Sequence, residues 1–166
     1  MSNKSWLKVM MVVCVGGLLT VGCRTKKPVT GAGGPTEIGG DLPLTERIED
    51  GVRLTDVKLD NVLFDYDSFQ IRGSEIAKIE KVAEYLKGNP RIRLVAEGNC
   101  DERGSREYNM SLGEQRAGAV RAHLVGIGIE PERIQTKSYG KEKPLNPGHD
   151  EKAWSENRRV EAALYR

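Results

Sequence analysis

The charged pair Asp101 and Arg116 is the arrangement in this sequence best suited to binding chemistry. Asp101 follows residues 91–97, where apolar and polar side chains alternate as in a half-buried strand. Arg116 falls near the start of a predicted helix, because Ser111 and Glu114 have the spacing of a capping box. A ligand with both an ammonium and a carboxylate would suit this pair, and the helix dipole would favour the anionic end. The alternative is a structural ion pair between the two side chains.

Cys100 is a second candidate for chemistry, as a nucleophile or a metal ligand together with His123 or His149. No oxyanion hole or orienting acid lies at a recognisable spacing from it. The cysteine and histidines also lack the paired spacing of metal sites. The sequence therefore predicts a protein that is not an enzyme and needs no cofactor or metal.

The elements that must position Asp101 and Arg116 follow from apolar periodicity. Strands are predicted at residues 61–64, 91–97, 134–138 and 160–164, and helices at 74–87, 111–126 and 150–156. Ser74 is the expected cap of the first helix, and Glu75 is expected on its solvent face. This β-α-β-α-β order predicts an α+β sandwich, with two main helices on one face of a mixed sheet.

The first 22 residues have the composition of a secretory signal peptide. Lys4 and Lys8 precede an apolar run at residues 9–21, and small residues lead up to Cys23. The alternative is an uncleaved N-terminal anchor. Loss of the two lysines would leave 24 basic and 24 acidic residues, so the charge gives no reason to expect binding to nucleic acid.

Residues 23–58 are rich in Gly, Pro and Thr and are predicted to form a flexible tether. About 35 such residues would average roughly 30 to 35 Å end to end and could stretch to about 110 Å. One folded domain is predicted at residues 59–166. The alternative for residues 54–59 is an edge strand of that domain.

Two long motifs resemble a known family. Residues Glu97–Gly104 and Glu107–Ala117 resemble the core of the peptidoglycan-associated lipoproteins, which belong to the OmpA C-terminal-like family. Further matches are Val62–Ser68, Ser138–Pro144, Gly148–Glu151 and Asn157–Arg159. The resemblance covers about residues 60 to 166. It departs at Asn99 and Cys100, where most relatives have His-Ala or His-Thr.

The resemblance implies an OmpA-like fold that holds the peptide stem of peptidoglycan non-covalently. The bound group would be diaminopimelate, with its ammonium at Asp101 and its carboxylate at Arg116. Four further residues match groove positions of the family: Phe64, Asp65, Asn109 and Leu112. For two of these an alternative stays open, with Phe64 in the core and Asp65 capping a turn.

The resemblance also implies a location and partners. Leu19 to Cys23 is similar to a lipobox, so Cys23 would be lipidated, and Arg24 favours the outer membrane, facing the periplasm. TolB and other Tol proteins would be partners in envelope integrity and cell division. Two rival classes fit less well. A flagellar stator needs a spanning helix longer than residues 9–21, and a porin-linked protein needs a preceding barrel.

Overall fold

A computed structural model describes residues 47–166; the predicted signal peptide, Cys23 and most of the predicted tether lie outside the described residues. The strands are β1 (Val62–Leu63), β2 (Arg93–Asn99), β3 (Ile134–Gly140) and β4 (Arg159–Tyr165). The helices are α1 (Gly73–Gly88), α2 (Arg106–Gly126) and α3 (Glu151–Asn157). None of the helices in this part of the chain has the length and apolarity to cross a membrane.

The four strands form one mixed sheet in the order β1-β4-β2-β3. β2 and β3 run parallel, whereas β4 runs antiparallel to both β1 and β2. Helices α1 and α2 contribute Ile79, Leu86 and Leu124 to a single core that also contains Leu94 and Leu164 from the sheet. The predicted α+β class, with a mixed sheet and helices packed on it, is confirmed.

The central strand β2 is buried on both faces, although its alternating pattern predicted a half-buried strand. Val95 packs with Ile48, Ala163 and Tyr165 in a second, smaller apolar cluster. Ile48 lies on this side of the sheet, and residues 52–54 run along the end of β4, where the Leu54 N–H donates to the Leu164 carbonyl at 2.9 Å. The structure thus places residues 48–54 against the domain that was predicted to begin at residue 59.

Helix α2 begins five residues earlier than its capping-box prediction. Ser105 is the N-cap, and its side chain accepts a hydrogen bond from the Tyr108 N–H at 3.1 Å. Ser111 lies on an exposed turn inside the helix, where its hydroxyl accepts from Gln115. The prediction was wrong because the Ser-x-x-Glu spacing also occurs along any exposed helical face.

Helix α1 also starts differently from the prediction. Arg72 is its N-cap without a side-chain hydrogen bond, so Ser74 does not cap the helix. Glu75 was expected in solvent but is buried, where it accepts from the Leu63 N–H and from Lys78, both at 2.8 Å. Burial would raise the pKa of Glu75, but these hydrogen bonds lower it below its usual value. Glu75 therefore ties α1 to β1.

Two glycines allow α2 to pack directly against the end of β2. A Cβ atom on Gly98 would lie 1.9 Å from the Gly113 carbonyl oxygen, which leaves no room for any side chain. A Cβ atom on Gly113 would lie 2.3 Å from the Ser138 hydroxyl and 3.1 Å from the Gly98 carbonyl oxygen. This close approach brings the middle of α2 next to the residues that follow β2.

Replacing Gly113 by alanine is expected to lower the free energy of unfolding by about 1 to 3 kcal/mol, because the added methyl overpacks this contact. The matched control is Gly118→Ala in the same helix, where nothing lies within 4 Å of the added Cβ. That control is expected to stabilise the protein by about 0.5 to 1 kcal/mol. Urea unfolding of both variants checks the pair, and equal stabilities would contradict the packing described.

Candidate functional site

A pocket lies where β2 ends and α2 packs across it. The pocket is small, with a volume of about 60 Å³, so it has room for the end group of a ligand and not for a whole drug-sized molecule. Four of the predicted site residues line it, namely Asp101, Asn109, Leu112 and Arg116. The fold thus brings together the carboxylate and the guanidinium that the sequence singled out.

Arg116 is fully buried, and its guanidinium is held by neutral acceptors. Its Nε donates to the Ser68 carbonyl at 2.8 Å, and its Nη2 donates to the Asp65 carbonyl at 3.0 Å. Its Nη1 donates to the Asn99 carbonyl at 3.0 Å and to the Cys100 sulfur at 3.4 Å. These contacts use four of the five N–H groups of a guanidinium.

Within the described part of the chain, the positive charge of Arg116 lacks a bonded counter-charge. Among residues 47–166, no aspartate or glutamate forms an ion pair with it. Burial lowers the pKa of Arg116, although an arginine remains charged in any case. A carboxylate that reached the remaining Nη2 N–H would gain a charge-assisted hydrogen bond away from bulk water. Arg116 lies in the third turn of α2, so the dipole at the helix start, predicted to assist here, acts too far away.

Asp101 is held by two other arginines and not by Arg116. Its Oδ1 accepts from the Arg103 backbone N–H at 3.1 Å and from Arg103 Nε at 3.3 Å. Its Oδ2 accepts from Arg103 Nη2 at 2.7 Å and from Arg158 Nη1 at 3.2 Å. Burial would raise the pKa of Asp101, but the hydrogen bonds from Arg103 and Arg158 outweigh it and hold the pKa below 3.8. The structural ion pair of Asp101 with Arg116, the alternative that the sequence left open, is therefore not formed.

Arg103 was not recognised in the sequence as a site residue. Its guanidinium stacks against the rings of Tyr66 and Trp154, at 4.1 and 4.2 Å from their centroids. Glu151 lies 3.7 Å from Arg103 Nη1 and also accepts from Arg158 Nη2 at 2.7 Å. Two acids and two arginines thus form one charge-balanced network beside the pocket. A loop residue without periodic neighbours gave no sequence signal for this role.

The side chains of Arg158 and Arg159 contact different partners. Arg158 reaches the Asp101 carboxylate, whereas Arg159 pairs with Glu161 away from the pocket. Only Arg158 therefore belongs to the site.

Asn109 and Cys100 hold the loop that carries Asp101. Asn109 is buried, and its Nδ2 donates to the carbonyls of Arg103 at 2.8 Å and Ser105 at 3.0 Å. The Cys100 thiol donates to the Asn109 carbonyl at 3.4 Å. Burial raises the pKa of Cys100 above its usual value, with Arg116 opposing the effect in part. A buried thiol with a raised pKa is a poor nucleophile.

Phe64 and Asp65 do not line the pocket. Phe64 is only 2% exposed and lies in the core, with its ring centroid 5.4 Å from the Arg116 guanidinium carbon. The Asp65 side chain is exposed and lies 3.5 Å from Arg72. These two residues support the site indirectly, through the core and through the Asp65 carbonyl that holds Arg116.

The groove prediction lacked Tyr66 and Asp67, which lie beside Tyr108 in the lining of the pocket. The Tyr108 hydroxyl donates to the Asp67 carboxylate. Within residues 47–166 no cluster of three or more His, Cys, Asp or Glu side chains is placed to hold a metal ion.

The sequence matches known proteins over this same region. The OmpA family matches at residues 63–158. The peptidoglycan-associated lipoprotein of Pseudomonas aeruginosa is 49% identical over 98 residues, which cover 59% of this chain and 58% of that protein. The match thus spans less than two thirds of that relative. The protein of the same name from Rhizobium meliloti is 38% identical over 157 residues, covering 93% of this chain and 86% of the relative.

Solved structures agree with these matches. The crystal structure of the peptidoglycan-associated lipoprotein from Burkholderia pseudomallei has a TM-score of 0.61 at 41% identity, covering 63% of this chain and 88% of that one. The C-terminal domain of Helicobacter pylori MotB shares the fold, with a TM-score of 0.61 at 23% identity over 66% of this chain and 86% of that one. By sequence and by fold, this chain belongs to the OmpA family and, within it, to the peptidoglycan-associated lipoproteins.

Proposed function

We propose that this protein binds the peptide stem of peptidoglycan non-covalently and ties the outer membrane to the wall. One observation carries the proposal: the buried Arg116 guanidinium lines the pocket, and no carboxylate of residues 47–166 is bonded to it. A buried charge of this kind is stabilised when a ligand supplies the opposite charge. The names of its relatives, peptidoglycan-associated lipoproteins, support the same ligand class.

Two charged residues of the pocket, Arg116 and Asp101, have separate roles in this proposal. Arg116 takes the ligand carboxylate through its remaining N–H, and Asp101 takes the ligand ammonium. Diaminopimelate, in the third position of many stem peptides, ends in an amino acid group that carries both charges. Lysine in the same position ends in an ammonium alone, so it would leave Arg116 without its anion. Asn109 and Leu112 shape the pocket around this group.

The residues proposed to attach the protein to the membrane lie outside the described part of the chain. Acyl chains on Cys23 would hold the protein in the outer membrane, facing the periplasm, and the chain up to the domain would act as a tether. Many copies on one membrane would give strong attachment from individually weak contacts. TolB and other Tol proteins are the partners that the family resemblance suggests, with a role in envelope integrity and cell division.

Binding without catalysis is the proposed activity. The Cys100 thiol is buried and donates a hydrogen bond, and burial raises its pKa. It therefore supports the loop geometry and not a covalent step.

Calorimetric titration of the full-length protein with two muropeptides tests the proposal. The two peptides differ only in diaminopimelate or lysine at the third position. Loss of one charge-assisted contact costs about 1.5 to 3 kcal/mol, so we expect roughly ten- to a hundredfold tighter binding of the diaminopimelate peptide. Equal binding of the two peptides would contradict the role of Arg116. Binding of TolB with neither peptide bound would favour the alternative, a lipoprotein whose groove takes only a protein partner.

A further inference from the structure

The Asp101 carboxylate is fully occupied before any ligand arrives. It accepts four hydrogen bonds, three from Arg103 and one from Arg158. A carboxylate offers about four acceptor positions, so a ligand ammonium has to replace one of these donors. The identity of the displaced donor decides how the site selects its ligand.

We propose that Arg103 is an internal competitor for Asp101, and that binding exchanges its guanidinium for the ammonium of the ligand. This inference rests on the proposed function and adds a residue that determines specificity. Arg103 imitates the ligand cation in the free protein. A ligand must then carry a cation strong enough to replace a guanidinium that is already in place.

Arg103 is the donor that is free to leave. Its side chain is 30% exposed, whereas the Arg158 side chain is 7% exposed. Arg158 is also fixed by the Phe64 carbonyl, which accepts from its Nε at 3.2 Å, and by Glu151 at 2.7 Å. Moving Arg158 would break contacts to three separate segments of the chain.

A second acid is ready to receive Arg103. The Glu151 carboxylate lies 3.7 Å from Arg103 Nη1, and its side chain is 65% exposed. The rings of Tyr66 and Trp154 stack against the guanidinium, so it can move between the two acids while keeping its ring contacts. The charge of Arg103 therefore stays paired in both arrangements.

The exchange has a consequence for affinity. A ligand that binds only when Asp101 is free has an apparent affinity reduced by the fraction of molecules in which Asp101 is free. Removal of Arg103 should thus strengthen the binding of ligands with an ammonium. Removal of an ordinary contact residue, or of a purely structural residue, would instead weaken the binding of these ligands.

The test is titration of full-length Arg103→Gln with the diaminopimelate muropeptide. We expect roughly three- to tenfold tighter binding than in the wild type, as removal of a competitor predicts. A peptide analogue without the terminal amine should show no such gain. The matched control is Arg106→Gln, which removes a neighbouring cation whose side chain is 70% exposed and pairs with Glu142. This control should leave the affinity for the muropeptide and the affinity for the analogue unchanged.

Unchanged or weaker binding by Arg103→Gln, in a protein whose wild type binds, would overturn this inference and leave the proposed function standing. If neither protein binds the peptide, both proposals fail. An independent readout is the Nε–H resonance of Arg103, assigned by its loss in Arg103→Gln. Addition of the muropeptide to the wild type should speed hydrogen exchange at this group, and unaltered exchange at saturation would also overturn the inference.

Discussion

Replacement of Arg116 by lysine is expected to lower the free energy of unfolding by about 3 kcal/mol and to abolish binding of the diaminopimelate peptide. The guanidinium bonds at once to the carbonyls of Ser68, Asp65 and Asn99, which come from two separate parts of the chain. A lysine ammonium carries its donors on one nitrogen atom, so it cannot reach all three carbonyls. Each buried carbonyl left without a donor costs about 1 to 3 kcal/mol.

Urea unfolding and titration of Arg116→Lys measure the two effects. The matched control is Arg121→Lys in the same helix, where the arginine also donates to two carbonyls, those of Ile134 at 3.1 Å and Pro131 at 3.2 Å. Arg121 is half-buried and outside the pocket, so its replacement should cost less than about 1 kcal/mol and leave binding intact. An equal loss of stability in both variants would show that the burial of Arg116 has no special role.

Asp101→Asn is expected to lower the free energy of unfolding by about 3 kcal/mol, near the lower limit for breaking a buried ion pair. The change leaves Arg103 and Arg158 without their shared carboxylate, although Glu151 still pairs with both. Because the pKa of Asp101 is held below 3.8, its stabilising effect is fully present above pH 3.8. That effect is lost as the pH falls through the lower pKa of the folded state.

The pH dependence separates Asp101 from ordinary surface acids. Stability measured from neutral pH downwards should fall less steeply below pH 3.8 in Asp101→Asn than in the wild type. The control is Asp60→Asn, since Asp60 is 64% exposed and lies 3.7 Å from Lys81. It should change stability by less than about 0.5 kcal/mol. Identical acid profiles for Asp101→Asn and the wild type would refute the ion-pair network.

The fold was predictable because its signals are local. Alternation in β2 and β4 and the apolar faces of α1 and α2 place the elements, and the turn at Pro131 separates α2 from β3. The first residues of the helices were harder to predict, because Ser111 and Ser74 have the spacing of helix caps but lie inside helices. Burial of Glu75 and of the outer face of β2 depends on partners far along the chain, which periodicity does not report.

The site was predictable only in part. The sequence placed Asp101 and Arg116 at one pocket, because a strand end and a helix are joined by a short loop. It did not show that each has its own partners, since Arg158 and Ser68 reach the pair from distant segments. The competing role of Arg103 follows from three-dimensional contacts with Tyr66, Trp154 and Glu151, which no spacing in the sequence predicts.

The most direct test of peptide binding through Arg116 is a crystal structure of the protein with a bound diaminopimelate muropeptide. We expect the terminal carboxylate of the ligand at hydrogen-bond distance, about 2.7 to 3.2 Å, from Nη2 of Arg116. The ligand ammonium is expected on Asp101, with the Arg103 guanidinium moved towards Glu151. A peptide bound outside this pocket, or in it without contact to Arg116, would contradict the central claim.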